Sequence, residues 1–233
     1  MSSIRLSLVL CAAWVVACGC TGKSGNKSGN QVRVEKPIAV STPHLVETTP
    51  TPFPKLPAPA RAEVESAMAR VFGDALLIDR SRPQNFIVGD FNGDGSEDLA
   101  VIVRPARGKL EEINSELANW IIQDADKAFL PSPHQRVVRM EKAAQPVVAE
   151  GETVLAIIHG YDARGWRDPA ARQAYLVKHA AATFQGTAPS INQKAIRAMH
   201  LPVETEIIQE VRGNKKGFLF WTGGLYAWHP SES

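Results

Sequence analysis

Residues 89 to 103 read Gly-Asp-Phe-Asn-Gly-Asp-Gly-Ser-Glu-Asp-Leu-Ala-Val-Ile-Val, and this stretch decides the fold. Its first ten residues are almost all acidic, amide or glycine, a composition typical of turns. Its last five are apolar and rich in β-forming side chains, which indicates a buried strand. The residues just before it, Asn85 to Val88, indicate a second strand. The stretch therefore predicts a β-hairpin with a polar loop at its tip.

The oxygen-bearing residues of this loop have the spacing of a calcium-binding loop, with ligands at positions 1, 3, 5, 7 and 9. The residues at these positions are Asp90, Asn92, Asp94, Ser96 and Asp98. Position 7 would contribute its backbone carbonyl, and Gly95 at position 6 would allow the sharp turn. An EF-hand would need a glutamate at position 12 and flanking helices, whereas this chain has Val101 there, within a strand. The alternative is a hairpin tip without metal, because Asp, Asn and Gly also favour turns for backbone reasons.

The segment from Gly89 to Val101 resembles the calcium loop of FG-GAP (VCBS-type) repeats, in which Asp-x-Asn-x-Asp-Gly-x-x-Asp-Leu lies between two strands. The resemblance implies that the side chains at positions 1, 3, 5 and 9 bind calcium. Repeats of that family occur in series as the blades of a β-propeller, but the loop occurs once in this chain. The resemblance therefore implies one EF-hand-like, structural calcium site, and neither a propeller nor an adhesive function.

The N-terminus has the pattern of an export signal. Arg5 precedes an apolar stretch, Leu6 to Ala17, that is too short to span a bilayer comfortably. The stretch ends in Val15-Val16-Ala17-Cys18, which resembles the lipobox of bacterial lipoproteins. The resemblance implies cleavage before Cys18 and lipidation of that cysteine, with Cys20 as the alternative anchor. An ordinary secretory signal, with both cysteines incidental, is the other interpretation.

Composition divides the chain into three regions. Residues 1–17 are the predicted signal peptide. Residues 18–58 are the predicted lipidated cysteine and a disordered tether, first rich in Gly and Ser and then rich in Pro. Residues 59–233 are predicted to form a single α+β domain. All three cysteines lie in the first twenty residues, so this domain has neither a disulfide nor a cysteine nucleophile.

Strands outnumber helices in the predicted domain. Apolar stripes at helical spacing predict helices after Pro59, over Lys109 to Gln123 and, more weakly, over Asn192 to Met199. Strands are predicted at residues 75–79, 85–88, 98–104, 153–159, 174–179, 205–212, 217–222 and 225–228, with two uncertain ones at 137–140 and 146–149. Since turn signals join most of them, we expect a mainly antiparallel sheet with two or three flanking helices and the calcium loop at a hairpin tip.

A second segment has a possible catalytic interpretation. Residues 153–166 are similar to the His-Gly oxyanion segment of α/β-hydrolases, because an apolar strand leads into His159 and Gly160. The chain has no Gly-x-Ser-x-Gly motif to supply the nucleophile. A cell-envelope hydrolase is therefore the alternative hypothesis. A cleft that gathers His159, Asp162 and Arg164 around a nucleophile or an activated water would favour it.

The C-terminal strands carry aromatic residues that could form a binding surface. Trp221, Tyr226 and Trp228 could stack on a sugar ring or a partner protein, or they could fill cross-strand pairs. Lys and Arg are interleaved with Asp and Glu, and the formal net charge is +2, so no nucleic-acid partner is predicted.

Together these patterns predict an exported lipoprotein, held by its lipid in the cell membrane or the outer membrane. The folded domain is expected to be a binding or structural module of the cell envelope rather than an enzyme. Its expected partners are the membrane, through the lipid anchor, and a protein or glycan. Calcium is its expected cofactor.

Overall fold

The computed structural model describes residues 53, 55–128, 144–181, 184–185 and 205–231, with the backbone alone for 184 and 185. These residues belong to one compact unit that spans residues 49–233. The predicted signal peptide, Cys18, Cys20 and most of the predicted tether lie outside the described residues. So do the helix predicted over 192–199 and the strand predicted over 137–140. Within the described ranges, every helix is too short or too polar to cross a membrane.

The described chain contains two α-helices, one 3₁₀ helix and ten strands. In chain order they are α1 (Arg61–Phe72), β1 (Leu76–Ile78), β2 (Phe86–Gly89), β3 (Asp98–Pro105), α2 (Leu110–Ile113), β4 (Trp120–Asp124), β5 (Val154–Ile158), the 3₁₀ helix (Asp162–Arg167), β6 (Ala174–Lys178), β7 (Phe184–Gln185), β8 (Ile208–Arg212), β9 (Lys215–Trp221) and β10 (Tyr226–Pro230).

The strands form two sheets. In the six-stranded sheet the order is β1-β3-β5-β6-β4, and β2 also pairs with β3. β1 pairs with residues 103–105 of β3, and β2 pairs with residues 98–101, so the two short strands occupy successive parts of β3. The second sheet has the order β10-β9-β8-β7. The β4–β6 pair is parallel and the other described pairs are antiparallel. The predicted α+β class is confirmed at this level, with a mixed first sheet.

The six-stranded sheet is buried on both faces. Residues 99–103 of β3 are all 0% exposed. Their odd-numbered side chains belong to the core that α1 covers, and their even-numbered side chains belong to the core shared with the second sheet through Ile208 and Leu219. A strand that is buried on both faces needs apolar side chains at every position, rather than apolar residues that alternate with polar ones.

The helix predicted over Lys109 to Gln123 is confirmed only at its start and is wrong beyond Ile113. The α-helix ends at Ile113, and the chain then re-enters the sheet as β4. Asn114 exchanges two hydrogen bonds with the backbone of Val148, at 2.7 and 3.0 Å, which stabilises the departure from the helix. Leu117, a member of the predicted apolar stripe, is 92% exposed. The uncertain strand at residues 146–149 is absent as well, since these described residues lie in a loop.

Candidate functional site

The predicted calcium loop connects two antiparallel strands. Gly89 at the end of β2 pairs with Asp98 at the start of β3, and residues 90–97 form the connection. Gly93 and Gly95 have φ angles of 78° and 87°. A residue with a Cβ adopts this left-handed region only with strain, so the two glycines allow the chain to fold back within a few residues.

The carboxylates at positions 1 and 5 accept hydrogen bonds from the loop's own backbone. Asp90 accepts the N–H of Gly93 on one oxygen, at 2.8 Å, and that of Gly95 on the other, at 3.0 Å. Asp94 accepts the N–H of Ser96 at 2.8 Å. An ionised carboxylate has about four acceptor sites, so these bonds leave lone pairs for a cation.

The amide at position 3 belongs to the same network. Asn92 donates from Nδ2 to Asp94 at 2.9 Å and accepts the N–H of Asp94 on Oδ1 at 3.0 Å. Ser96 at position 7 is buried. The loop residues predicted as ligands thus lie close together, held by short-range bonds.

Asp98 connects the loop to the strand end after β5. Its side chain is completely buried. One oxygen accepts the N–H groups of Phe91, at 2.8 Å, and Asn92, at 3.1 Å. The other accepts the N–H of Gly160 at 2.6 Å. The calcium-like loop and the His-Gly segment, which were predicted separately, therefore meet at one carboxylate.

The electrostatics of the loop disfavour its ionised carboxylates. Burial raises the pKa of Asp98 well above its ordinary range, and the nearby charges of Asp94 and Asp90 raise it further, against the hydrogen bond from Gly160. Burial likewise raises the pKa of Asp90, with repulsion from Asp94 contributing. Within the described part of the chain, no Lys, Arg or His forms an ion pair with these three carboxylates.

A different group of side chains could hold a metal ion. Asp124, Asp126 and His179 place potential ligand atoms within 4.8 Å of one another. The Nδ1 of His179 lies 2.8 Å from Asp124 and 3.8 Å from Asp126. Positive charges already contact this cluster, since the Lys127 ammonium is 3.4 Å from Asp124 and the Arg212 guanidinium bonds to Asp126. Burial would raise the pKa of Asp124, but the hydrogen bond from His179 and the other bonds to it outweigh burial, and the pKa is lowered.

The members of this cluster lie far apart in the chain, so no local sequence pattern indicates them. Asp124 ends β4, and His179 follows β6 directly. The two strands are parallel neighbours, with Asp124 opposite Lys178, so their carboxyl ends lie at the same edge of the sheet. Only a correct prediction of β4 as a strand would have brought these residues together.

His159 is buried rather than placed in a cleft. It is 2% exposed, and its Nε2 shares a hydrogen bond of 2.7 Å with the hydroxyl of Tyr226. The rings of Tyr175 and Trp221 lie 4.8 and 5.0 Å from the imidazole, measured between centroids. Burial lowers the pKa of His159 to about 4, so the ring is neutral near pH 7.

The arrangement that would favour a hydrolase does not occur among the described residues. Asp162 and Arg164 are exposed on the 3₁₀ helix. Arg164 lines a cleft of about 520 Å³ that contains neither His159 nor Asp162. The imidazole instead forms part of the packing between the two sheets.

The predicted aromatic surface is largely interior. Tyr226 is 1% exposed, so its assignment to a binding surface is wrong; its side chain lies on the face of β10 that meets the first sheet. Trp221 and Trp228 are partly buried and pack against the same core. The Arg212 guanidinium lies 4.4 Å over the ring of Trp228. The two tryptophans thus expose only part of their surface to a partner.

Comparison with protein-family models, with curated proteins and with solved structures gave no match to this chain. The case for a functional role of these residues therefore rests on their geometry alone.

Proposed function

We propose that this protein is an exported lipoprotein whose folded unit is a calcium-stabilised binding or structural module of the cell envelope. The lipobox-like sequence before Cys18 and the tether after it support export and anchoring in the cell membrane or the outer membrane. A protein or a glycan is the expected partner of the module, and the membrane is bound through the lipid.

One observation carries the calcium proposal. Asp98 is completely buried, lies near two further carboxylates, and has no ion-pairing cation among the described residues. Such a group is unfavourable as an anion unless a positive charge approaches it. Calcium takes six to eight oxygen ligands and would supply that charge. The residues that would bind it are Asp90, Asn92, Asp94, Ser96 and Asp98, the serine through its carbonyl.

A structural role fits the position of the loop. Asp98 also accepts the N–H of Gly160, so a cation that fixes Asp98 would stiffen the contact between the hairpin and the segment after β5. Opening of a helix pair, as in a calcium sensor, has no counterpart here because the loop joins two strands.

Thermal melting of the metal-stripped protein, with calcium or with chelator, tests the proposal. At calcium concentrations 100-fold above Kd, binding to the folded state alone would add about 2.7 kcal/mol to the free energy of unfolding. The Asp94→Asn variant retains the acceptor for the Ser96 N–H and removes one ligand charge, so we expect it to lose most of this gain. Asp162→Asn, an exposed aspartate outside the loop, is the matched control and should retain it.

Two other outcomes have a clear meaning. Equal melting temperatures with calcium and with chelator would remove the calcium proposal. A gain that survives Asp94→Asn but disappears in His179→Ala would assign the cation to the cluster of Asp124, Asp126 and His179 instead. The alternative function, a hydrolase with its site near His159, has no observation in its favour among the described residues.

A further inference from the structure

A cleft of about 520 Å³ lies between α1 and the 3₁₀ helix, and its polar lining is mainly cationic. Three arginines line it, Arg70, Arg164 and Arg167, together with Ser66 and a single carboxylate, Glu63. These three guanidinium groups and one carboxylate leave a net charge of +2 on the lining. A cleft with this charge is suited to an anion.

Arg70 is the least satisfied of the three arginines. Its Nη2 donates to the carbonyl of Trp166 at 2.7 Å and, more weakly, to that of Ala171 at 3.4 Å. Its Nε is buried and has no hydrogen-bond partner. Among the described residues, no carboxylate lies within ion-pair distance of it. A buried donor without a partner is costly, so the Arg70 guanidinium lacks the full set of acceptors that it can use.

The other two arginines differ in how closely carboxylates approach their positive charge. Arg167 is neutralised by Glu97 at 2.8 Å and by Glu63 at 3.3 Å. Arg164 is exposed and has only a distant contact with Asp168, at 3.7 Å. Arg70 and Arg164 are therefore less closely neutralised by carboxylates than Arg167 is.

The groups around Arg70 disfavour its positive charge. Burial lowers the pKa of Arg70, and repulsion from Arg172 and Arg164 lowers it further, while Asp168 opposes the shift. Several cations thus face one region of the molecule. A bound anion would relieve their repulsion.

We propose that this cleft binds the phosphate group of a small molecule. Guanidinium groups match the oxygens of phosphate with paired hydrogen bonds, and two arginines without a close carboxylate partner suit a doubly charged group better than a carboxylate. The hydroxyl of Ser66 adds a further donor, while Leu56 and Ala62 provide apolar contact for the body of the molecule. The phosphate can belong to a free ester or to a lipid headgroup. None of the residues that line this cleft is a predicted calcium ligand.

Calorimetric titration of the full chain with inorganic phosphate, at constant ionic strength, tests the proposal. We expect saturable binding that weakens at least tenfold in Arg70→Gln and at least fivefold in Arg164→Gln. Arg107→Gln, which removes an exposed arginine outside the cleft, should bind within twofold of the wild type. Arg70 also ties α1 to the backbone after β5, so its variant can lose stability. Arg164 makes no such bond, and its variant tests the cleft with the fold intact.

Further titrations identify the source of the phosphate. Tighter binding of glycerol phosphate than of inorganic phosphate would indicate a soluble ester, and co-sedimentation with phosphatidylglycerol vesicles but not phosphatidylcholine vesicles would indicate a headgroup. Either result requires the same sensitivity to Arg164→Gln. The proposal is overturned by absence of binding at millimolar phosphate, by equal weakening in Arg164→Gln and Arg107→Gln, or by acetate binding as tightly as phosphate.

Discussion

At the scale of single residues, two buried titratable side chains, those of Asp98 and His159, are linked through the backbone of Gly160. Asp98 accepts the N–H of Gly160, and His159 directly precedes that glycine. Burial disfavours the charged form of each group, which raises the pKa of Asp98 and lowers that of His159. Their effects on stability therefore have opposite dependence on pH.

The His159 effect can be isolated by mutation. Its pKa falls from 6.5 in the unfolded chain to about 4 in the folded protein, so the folded state binds fewer protons between these values. The stability contributed by the neutral ring is complete above pH 6.5 and is lost as the pH falls to about 4. We expect the wild type to lose about 3 kcal/mol more than His159→Gln between pH 7 and pH 4. Urea unfolding of both proteins at several pH values measures the difference.

The pH dependence of these two proteins needs a control, because carboxylates also titrate as the pH falls toward 4. His229→Gln removes a less buried histidine and should follow the wild type across this range. If His159→Gln follows the wild type as closely as the control does, the imidazole is not held neutral by burial. Glutamine keeps a polar group within reach of the Tyr226 hydroxyl, so the comparison does not leave that hydroxyl without a partner.

At the scale of elements, the end of the polar loop is locked against the segment after β5. The carbonyl of Glu97 accepts the N–H of Trp166 at 2.7 Å. A Cβ placed on Gly160 or on Gly165 would lie 2.4 or 2.5 Å from the same carbonyl oxygen. Backbone therefore packs directly on backbone here, and neither glycine has room for a side chain.

Substitution of Gly165 tests this contact. Gly165 has a φ of 56°, and Gly108, which has open space around it, has a φ of 76°. Gly108→Ala incurs only the conformational strain, about 1 kcal/mol. Gly165→Ala adds the clash with Glu97 to the strain of its own backbone conformation, with φ 56° and ψ −141°, and we expect a loss of about 3 kcal/mol in the free energy of unfolding. Equal losses in the two variants, measured by urea denaturation, would show that the contact is not tight.

The elements that the sequence predicted correctly are those with a local signal. β3 and β5 are apolar along their length because both faces of their sheet are covered, and their composition indicates a strand without further context. β4 was predicted as helix because its apolar residues continue the spacing of α2. What makes it a strand is pairing with β6, some fifty residues later, which no local pattern contains.

The same distinction applies to the candidate site. The loop spacing is local and could be read from the chain, whereas the bond from Gly160 to Asp98 crosses 62 positions. The burial of Tyr226 could not be predicted either, because alternation along β10 shows that one face is covered but not which one. The six-stranded sheet covers the face of β10 that carries Tyr226, and the hydroxyl meets His159 there.

At the scale of the whole molecule, the described unit has three layers: α1, the six-stranded sheet and the four-stranded sheet. The end of the predicted tether contacts this unit, since Arg167 donates to the carbonyl of Pro57 at 2.8 Å. Phe53 and Leu56 line a second cleft, of about 460 Å³, beside Asp90. Residues assigned to the tether from composition alone thus contribute to the surface next to the predicted calcium loop.

Membrane anchoring through a lipid is a property of the whole chain. If Cys18 is the lipidated residue, Cys18→Ala should move the protein from the membrane fraction to the soluble exported fraction and abolish labelling by a fatty acid analogue. Cys20→Ala is the matched control, two residues away, and should leave both unchanged. The opposite pattern would identify Cys20 as the anchor. Unlabelled protein in the soluble fraction for the wild type as well would reject the lipoprotein hypothesis.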